Sequence, residues 1–386
     1  MTKYLAVLAC ATFLAGACGD SGTKVTTPPP PDTAWRTYAP DDASIQYTGR
    51  IDTSDPTLYK FSANAVTISA RFMGTAVSVS LKDEFRYGKY RNFYDVVVDG
   101  GIVMKLSADP ASTDYLYPLA ADLPYGQHDV TLVRRTEPTV GVGFFLGFQI
   151  AGQIQPPPAP APHRIEIVGD SITAGAGVDA LNNSPDCTAL PDGWGLPVED
   201  AYKSYGPVLA QSLDAEFRVV GVSGIGLVRD YSSNAADDIR TMPQVYDLLY
   251  PQLTTSTSWD PTHTKWIPDA LVLGLGTNDF SPGDNPPSSP RPKMDQPTFV
   301  SAYMTFIDTL RGYYPSAEIF LISSPLLGDG WPDSTYTSAS DLKNALATIE
   351  DNYITAGVTK VHKFNGVSKL PGNGCGGHPD AVGHMQ

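Results

Sequence analysis

The chain has 386 residues, 34 prolines and a formal net charge of −15. Its length is too great for one ordinary core and suits two domains. The acidity, with no Lys/Arg run longer than two residues, excludes nucleic acid and anionic lipid surfaces as partners and tolerates neutral ones such as sugars.

Lys3 precedes a fourteen-residue apolar run, Tyr4 to Ala17, too short to span a bilayer comfortably but suited to the core of a signal peptide. The run ends Leu14-Ala15-Gly16-Ala17-Cys18, which resembles a bacterial lipoprotein cleavage box. Residues 1–17 are expected to be removed, leaving Cys18 as a lipidated N-terminus on an outer-membrane or cell-surface protein. The usual leucine lies one position too early, and the plainer alternative is an ordinary signal that leaves a secreted or periplasmic protein. Of the four cysteines, Cys10 leaves with the signal and Cys18 takes the lipid. Cys187 and Cys375 remain, and in an oxidising compartment an isolated pair reads as a disulfide. Two cysteines without clustered histidines make a poor zinc site, so no metal is expected.

Residues 18–34, including Thr26-Thr27-Pro28-Pro29-Pro30-Pro31, form a stiff polar tether. From 35 to 153 the pattern has period two. Val66, Ile68, Ala70 and Phe72 alternate with Thr67, Ser69 and Arg71; Val77, Val79 and Leu81 alternate with small polar residues; Tyr94, Val96 and Val98 lead into Asp99-Gly100-Gly101. Alternation returns at Ile102, Met104 and Leu106 and at Val130 and Leu132. Short half-buried strands with Gly, Asp and Pro turns predict a β-sandwich of jelly-roll type.

A second proline run, Pro156-Pro157-Pro158-Ala159-Pro160-Ala161-Pro162, marks a linker at 154–163 and the expected domain boundary. Strands then alternate with helices. Apolar strands are readable at 164–168, 217–222, 270–275, 317–323 and 358–364. Tyr202, Tyr205, Leu209 and Leu213 fall on one helical face, as do Phe299, Tyr303, Phe306 and Leu310, and Leu342, Leu346, Ile349 and Tyr353. This predicts an α/β domain over 164–386 with a parallel sheet covered on both sides, binding its ligand at the C-terminal ends of the strands.

Four segments fall at those strand ends, and acyl transfer has a use for each. Ile167-Val168-Gly169-Asp170-Ser171 ends the first strand in a turn that can hold the serine at the sheet edge, where a nucleophile belongs. Gly221-Val222-Ser223-Gly224-Ile225-Gly226 offers a backbone N–H at Gly224, and Gly274-Leu275-Gly276-Thr277-Asn278-Asp279-Phe280 offers the Asn278 amide. Gly374-Cys375-Gly376-Gly377-His378-Pro379 supplies a histidine in a loop. A serine hydroxyl needs a base, here His378. The oxyanion formed on an ester carbonyl needs donors, here the N–H groups of Ser171 and Gly224 and the side chain of Asn278.

These four blocks, in this order and spacing, resemble the SGNH (GDSL-type) esterases. More narrowly, the chain over residues 48–386 is similar to carbohydrate esterase family 2, on Arg134-Arg135-Thr136-Glu137, Ser223-Gly224-Ile225-Gly226, Pro268-Asp269-Ala270 and Gly276-Thr277-Asn278-Asp279-Phe280. The resemblance implies a three-layer, flavodoxin-like SGNH domain preceded by the jelly roll. It also implies serine-dependent removal of acetyl groups from plant polysaccharides such as xylan or glucomannan with no cofactor, and the chain is expected to act as a monomer.

Two departures stand out. The aspartate that SGNH enzymes carry two or three residues before the histidine is absent, those positions being Gly376 and Cys375. Either a backbone carbonyl near Cys375 orients the imidazole, giving a Ser-His dyad, which is the preferred reading, or an acid comes from elsewhere, with Asp329 and Asp333 as weak candidates. The chain also stops at His384-Met385-Gln386, where a last helix is expected to begin, which reads as a truncation.

Each of these residues has a plainer reading. Ser171, Gly224 and Asn278 can all be turn residues, and Asp170 and Asp279 read as acceptors that hold loops. His128, His163 and His362 read as structural, and His384 is the runner-up base. Trp194, Tyr231, Trp259, Trp266 and Trp331 are candidates for a sugar-stacking wall, although aromatic residues are more often core. Tyr87, Tyr90, Phe93 and Tyr94 stand in the same position within the sandwich. The rival functions are an SGNH lipase or thioesterase, which needs an apolar acyl channel, and a surface carbohydrate-binding protein without turnover, which the missing acid favours.

Overall fold

Alternation dominates the first half of the chain because successive side chains of a strand point to opposite faces of the sheet, one of which covers a core. The computed structural model describes residues 32–180, 195–232, 240–251, 257–259, 266–284, 289–364 and 367–386. The segment expected to be a signal with Cys10, the expected lipidation site Cys18, the tether through Pro31, Cys187 and Trp194 lie outside these residues.

Ten strands among the described residues pair antiparallel. They are β1 (Trp35–Tyr38), β2 (Ile45–Thr48), β3 (Ile51–Asp52), β4 (Tyr59–Phe61), β5 (Thr67–Asp83), β6 (Tyr94–Val98), β7 (Gly101–Leu106), β8 (Leu116–Ala120), β9 (Gly126–Arg134) and β10 (Gly143–Gln155). The long β5 changes partners along its length. Residues 67–70 lie between β2 and β9, residues 71–74 between β9 and β10, and residues 77–80 between β10 and β8. Its period-two residues Ile68, Phe72, Val77, Val79 and Leu81 meet Tyr94, Val96, Phe145, Phe148 and Ile150 in one core. Each such side chain contributes about 1.5–3 kcal/mol by leaving water.

Residues 156–162 carry no strand pairing, and a parallel sheet follows. It comprises β11 (His163–Gly169), β12 (Ala215–Gly221), β13 (Ala270–Gly274), β14 (Glu318–Ile322) and β15 (Val361–Phe364), in the order β12-β11-β13-β14-β15. That is the 2-1-3-4-5 arrangement of flavodoxin-like sheets. β15 starts later than the 358 expected from its apolar run because Gly357 and Val358 still close the preceding helix through N–H bonds to Ile354 and Tyr353.

The helices are α1 (Ser171–Ala174), α2 (Tyr205–Ser212), α3 (Met242–Val245), α4 (Thr277–Phe280), α5 (Gln296–Tyr313), α6 (Ser338–Thr355) and α7 (Ala381–Met385). On one face of the sheet, Phe299, Tyr303, Phe306 and Leu310 of α5 and Leu342, Leu346 and Ile349 of α6 pack against Val168, Val220, Leu273, Ile319 and Leu321. On the other, Ile165, Ile167, Val219 and Val272 meet α2 and also Ala65, Val97 and Val133 of the β-domain.

One expected helical face is corrected. Tyr202 lies in a separate turn before α2, while Leu209 and Leu213 are 39% and 52% exposed. The side of α2 that faces the sheet is instead Gly206, Pro207 and Ala210. A Cβ on Gly206 would stand 2.6 Å from Ile167 Cγ1. An approach this close admits only small residues, so the leucines turn outward.

Polar contacts join the two halves. Arg50 reaches the carbonyls of Tyr246 and Leu248, Asp52 accepts from the Tyr250 hydroxyl at 2.9 Å, and Lys105 donates to the Pro197 carbonyl at 2.8 Å. Buried Arg135 contacts Asp95 at 2.7 Å, Asp179 at 2.5 Å and Asp200 at 3.2 Å.

Candidate active site

Register brings the site together. Gly169 of β11 pairs with Gly221 of β12 on one side and Gly274 of β13 on the other, so three adjacent strands end level. The glycines let the three following loops converge. A Cβ on Gly169 would meet Thr173 Oγ1 at 2.2 Å and the Gly274 carbonyl at 2.7 Å, and one on Gly221 would meet the Ala174 nitrogen at 2.9 Å. Val222 N–H donates to the Gly169 carbonyl at 3.2 Å, which ties the second loop to the first.

Ser171 opens α1. Asp170 caps that helix by accepting from Ile172 N–H at 3.0 Å, and burial pushes its carboxyl up to about 6. Ser171 is 8% exposed, and its Oγ lies 2.7 Å from His378 Nε2. His378 Nδ1 lies 2.9 Å from the Cys375 carbonyl. A carbonyl only accepts, so Nδ1 carries the proton and Nε2 is left to accept from the serine hydroxyl. No side-chain carboxylate touches the ring among the described residues. Burial pushes the His378 pKa below the ordinary imidazole value, opposed by the Cys375 carbonyl, so at neutral pH the ring is the free base that proton abstraction requires.

The loop from Gly221 to Gly226 lies beside this pair. Gly224 adopts φ +77°, a conformation that favours glycine, and its carbonyl accepts from Tyr231 N–H at 2.7 Å. Asn278, buried at the start of α4, donates through Nδ2 to the Ile225 carbonyl at 2.7 Å. That bond uses one of its two amide hydrogens and joins the second and third loops. Asp279 accepts from Leu227, Val228 and Arg229 N–H groups at 2.9, 2.7 and 3.1 Å. Its role is loop fixation, and burial raises its pKa against those bonds. Arg229 and Arg291 hold the far side of the α4 loop by donating to the carbonyls of Asp279 and Asn278.

Other candidates lie elsewhere. Asp329 accepts from Ser340 at the start of α6, and Asp333 from Thr335 in its own loop; neither meets His378. His384 does not reach Ser171: its Nδ1 accepts from Tyr205 N–H at 3.1 Å, its ring stacks on Tyr205, and burial pushes it down to about 4. His128 pairs with Asp99 at 2.7 Å and His362 with Glu318 at 2.8 Å. Trp259 and Trp266 do not line the strand ends. They stack over Arg218 midway along β12, and Trp266 Nε1 donates to Glu216 at 2.7 Å near the opposite end of that strand. Tyr231 adjoins Gly224 and is 40% exposed, and Trp331 is 55% exposed. Among the described residues no cluster of three or more His, Cys, Asp or Glu side chains could hold a metal, and no helix is long and apolar enough to cross a membrane.

Two residues of the β-domain were not expected here. Asn64 Oδ1 accepts from Gly221 N–H at 3.0 Å, and Glu137 Oε2 accepts from Ser223 N–H at 2.6 Å. The Arg134-Arg135-Thr136-Glu137 string is the local signal, because four consecutive polar residues at the end of a core strand need partners inside the protein.

Residues 47–160 match the carbohydrate esterase 2 N-terminal family, and residues 167–384 match the GDSL-like lipase/acylhydrolase family. The chain is 32% identical over 288 residues to the cellulase/esterase CelE of Acetivibrio thermocellus, an alignment covering 74% of this chain and 32% of that protein. It thus spans about a third of that relative's length. It is 27% identical over 295 residues to an acetylxylan esterase/glucomannan deacetylase of Cellvibrio japonicus, covering 75% of this chain and 74% of the relative. The structure of a family 2 carbohydrate esterase with a carbohydrate-binding domain, from Corynascus thermopiles (Myceliophthora fergusii), superposes with a TM-score of 0.73 at 30% identity, covering 89% of this chain and 95% of that one. A paired esterase N-terminal domain and GDSL-like domain, with serine, histidine and asparagine at three strand ends, make this chain a member of the GDSL-like lipase/acylhydrolase family and, within it, of the family 2 carbohydrate esterases.

Proposed function

We propose that this protein is a serine esterase that removes O-acetyl groups from plant-type polysaccharides, acetylated xylan and glucomannan among them. The observation that carries the reading is the 2.7 Å contact between Ser171 Oγ and a His378 ring whose tautomer is set by a backbone carbonyl at 2.9 Å. Ser171 attacks the acetyl carbonyl while His378 Nε2 takes its proton. The oxyanion is held by the N–H groups of Ser171 and Gly224 and by the second amide hydrogen of Asn278. His378 returns the proton to the departing sugar hydroxyl, leaving an acetyl-serine. Water, deprotonated by the same imidazole, then releases acetate. No step calls for a metal or cofactor. The Cys375 carbonyl orients His378 but stabilises the imidazolium less than a buried carboxylate does, so the pair works as a dyad.

The names of the Cellvibrio and Acetivibrio relatives support this choice of chemistry and substrate. The test is hydrolysis of 4-nitrophenyl acetate, butyrate and octanoate by wild type and Ser171→Ala. Acetate is expected to be turned over fastest, with the variant inactive. Preference for octanoate supports a lipase, and no turnover by wild type together with retained polysaccharide affinity supports a binding protein.

Under the same reading the first 35–153 segment is a jelly roll joined by a linker at 154–163 to the catalytic domain at 164–386. The protein is an exported monomer anchored at the bacterial outer membrane or cell surface through a lipid on Cys18. Cys187 and Cys375 form a disulfide bracing the histidine loop. Support for the last point is that Cys375 is buried and packed against Gly177 just after the serine turn.

A further inference from the structure

The loop that carries Gly224 is held from the other domain as well as from its own. Its first N–H, of Gly221, is taken by Asn64 at 3.0 Å, and the N–H of Ser223, immediately before Gly224, is taken by the Glu137 carboxylate at 2.6 Å. Both acceptors belong to the β-domain and are buried, at 1% and 5% exposure. Glu137 is itself immobilised. Its backbone N–H donates to Glu199 Oε1 at 2.5 Å, and its Oε1 accepts from the Thr139 hydroxyl. Fully buried Arg134 donates to the carbonyls of Thr136 at 2.9 Å, Glu137 at 3.1 Å and Gly141 at 2.7 Å, gathering the whole turn around one guanidinium.

From this juxtaposition we infer that Glu137 is a positioning residue for the oxyanion donor at Gly224. Rotation of the peptide planes on either side of Ser223 is what would turn the Gly224 N–H away from the acetyl oxygen. An acceptor locked onto Ser223 N–H restrains the first of those planes. The restraint comes from a rigid neighbour rather than from the loop itself, as preorganised donors require. The β-domain is therefore part of the catalytic apparatus and not only a platform for substrate. The inference rests on the Ser171 and Gly224 roles proposed above.

The test uses full-length protein carrying Glu137→Met, which keeps the volume but removes the acceptor, and Glu137→Gln, whose carbonyl still accepts from Ser223 N–H. With 4-nitrophenyl acetate, Glu137→Met is expected to lose 10-fold to 100-fold in kcat with KM within threefold of wild type, a loss at or below the 10²–10³ of deleting a donor outright. Glu137→Gln is expected to recover kcat to within about threefold of wild type. Binding of a methylboronic acid, which mimics the tetrahedral anion, should weaken in parallel with kcat. Should Glu137→Met fail to fold, Glu137→Asp, one methylene short of Ser223, takes its place with the same kcat loss expected. Wild-type kcat in the Met or Asp variant, or a Gln variant as impaired as Met, overturns the inference while Ser171→Ala remains inactive. Activity in Ser171→Ala instead overturns the underlying reading.

Discussion

Installing a carboxylate beside His378 probes the dyad directly. Gly376 is exposed, has φ +59°, and a Cβ built on it lies 3.6 Å from His378 Nδ1. Aspartate tolerates that backbone better than most residues, at a cost of about 1 kcal/mol. A carboxylate about 5 Å from the imidazolium attracts it by about 3 kcal/mol at an effective dielectric of 20. Solvent at this exposed position reduces that to about 1.4 kcal/mol, or about one pKa unit. The sign follows from the charge. A negative neighbour favours protonated His378, so the pKa rises, and the same attraction lowers the barrier to a transition state that contains an imidazolium. Gly376→Asp is therefore expected to raise kcat for 4-nitrophenyl acetate up to about tenfold and to move the acid limb of the kcat/KM profile upward by about one unit. Gly376→Asn, of the same shape but neutral, should do neither. A folded Gly376→Asp enzyme with kcat and acid limb both unchanged refutes the reasoning, because it means that residue 376 does not stand beside the base.

Further predictions follow the same geometry. In wild type, kcat/KM should rise with pH through a midpoint below the ordinary histidine value of about 6.5, because burial lowers the His378 pKa and only the neutral ring acts as base; a midpoint above that value contradicts the assignment. Asn278→Ala should lose about 10²–10³ in kcat with little change in KM, measured on the same acetyl ester. Arg135→Met, which strands buried Asp95 and leaves buried Asp200 with Lys203 as its remaining cation, should destabilise the protein by about 3 kcal/mol or more in urea denaturation. On α2, Gly206→Ala should cost more than about 1 kcal/mol whereas Leu209→Gln should stay within about 0.5 kcal/mol, since only the glycine packs against Ile167.

What could be read from residues alone follows the range of the physics involved. Period-two strands around Ile68 and Val79, and the helical spacing of Phe299, Tyr303, Phe306 and Leu310, are local patterns in which solvent exposure writes itself into neighbouring positions. The turns after Gly169, Gly221 and Gly274 are equally local, and their level register follows from a parallel sheet with those strand ends. The face of α2 misled because a close helix-to-sheet approach selects Gly206 and Ala210, which carry no hydrophobic signal, and exposes Leu209. Trp259 and Trp266 misled for a different reason: their rings are used to cover Arg218, a pairing across β12 that no spacing reveals. Glu137 lies 86 residues from Ser223, and its reach across the junction depends on how two domains dock.

The most direct test of the central claim is to mix the enzyme with an acetylated xylo-oligosaccharide, quench with acid within the first turnover, and map the peptides by mass. One acetyl group on the peptide that contains Ser171, lost again as acetate appears, is the expected result. Acetate release with no acetyl group ever found on Ser171, or with the acetyl group on another residue, contradicts the account.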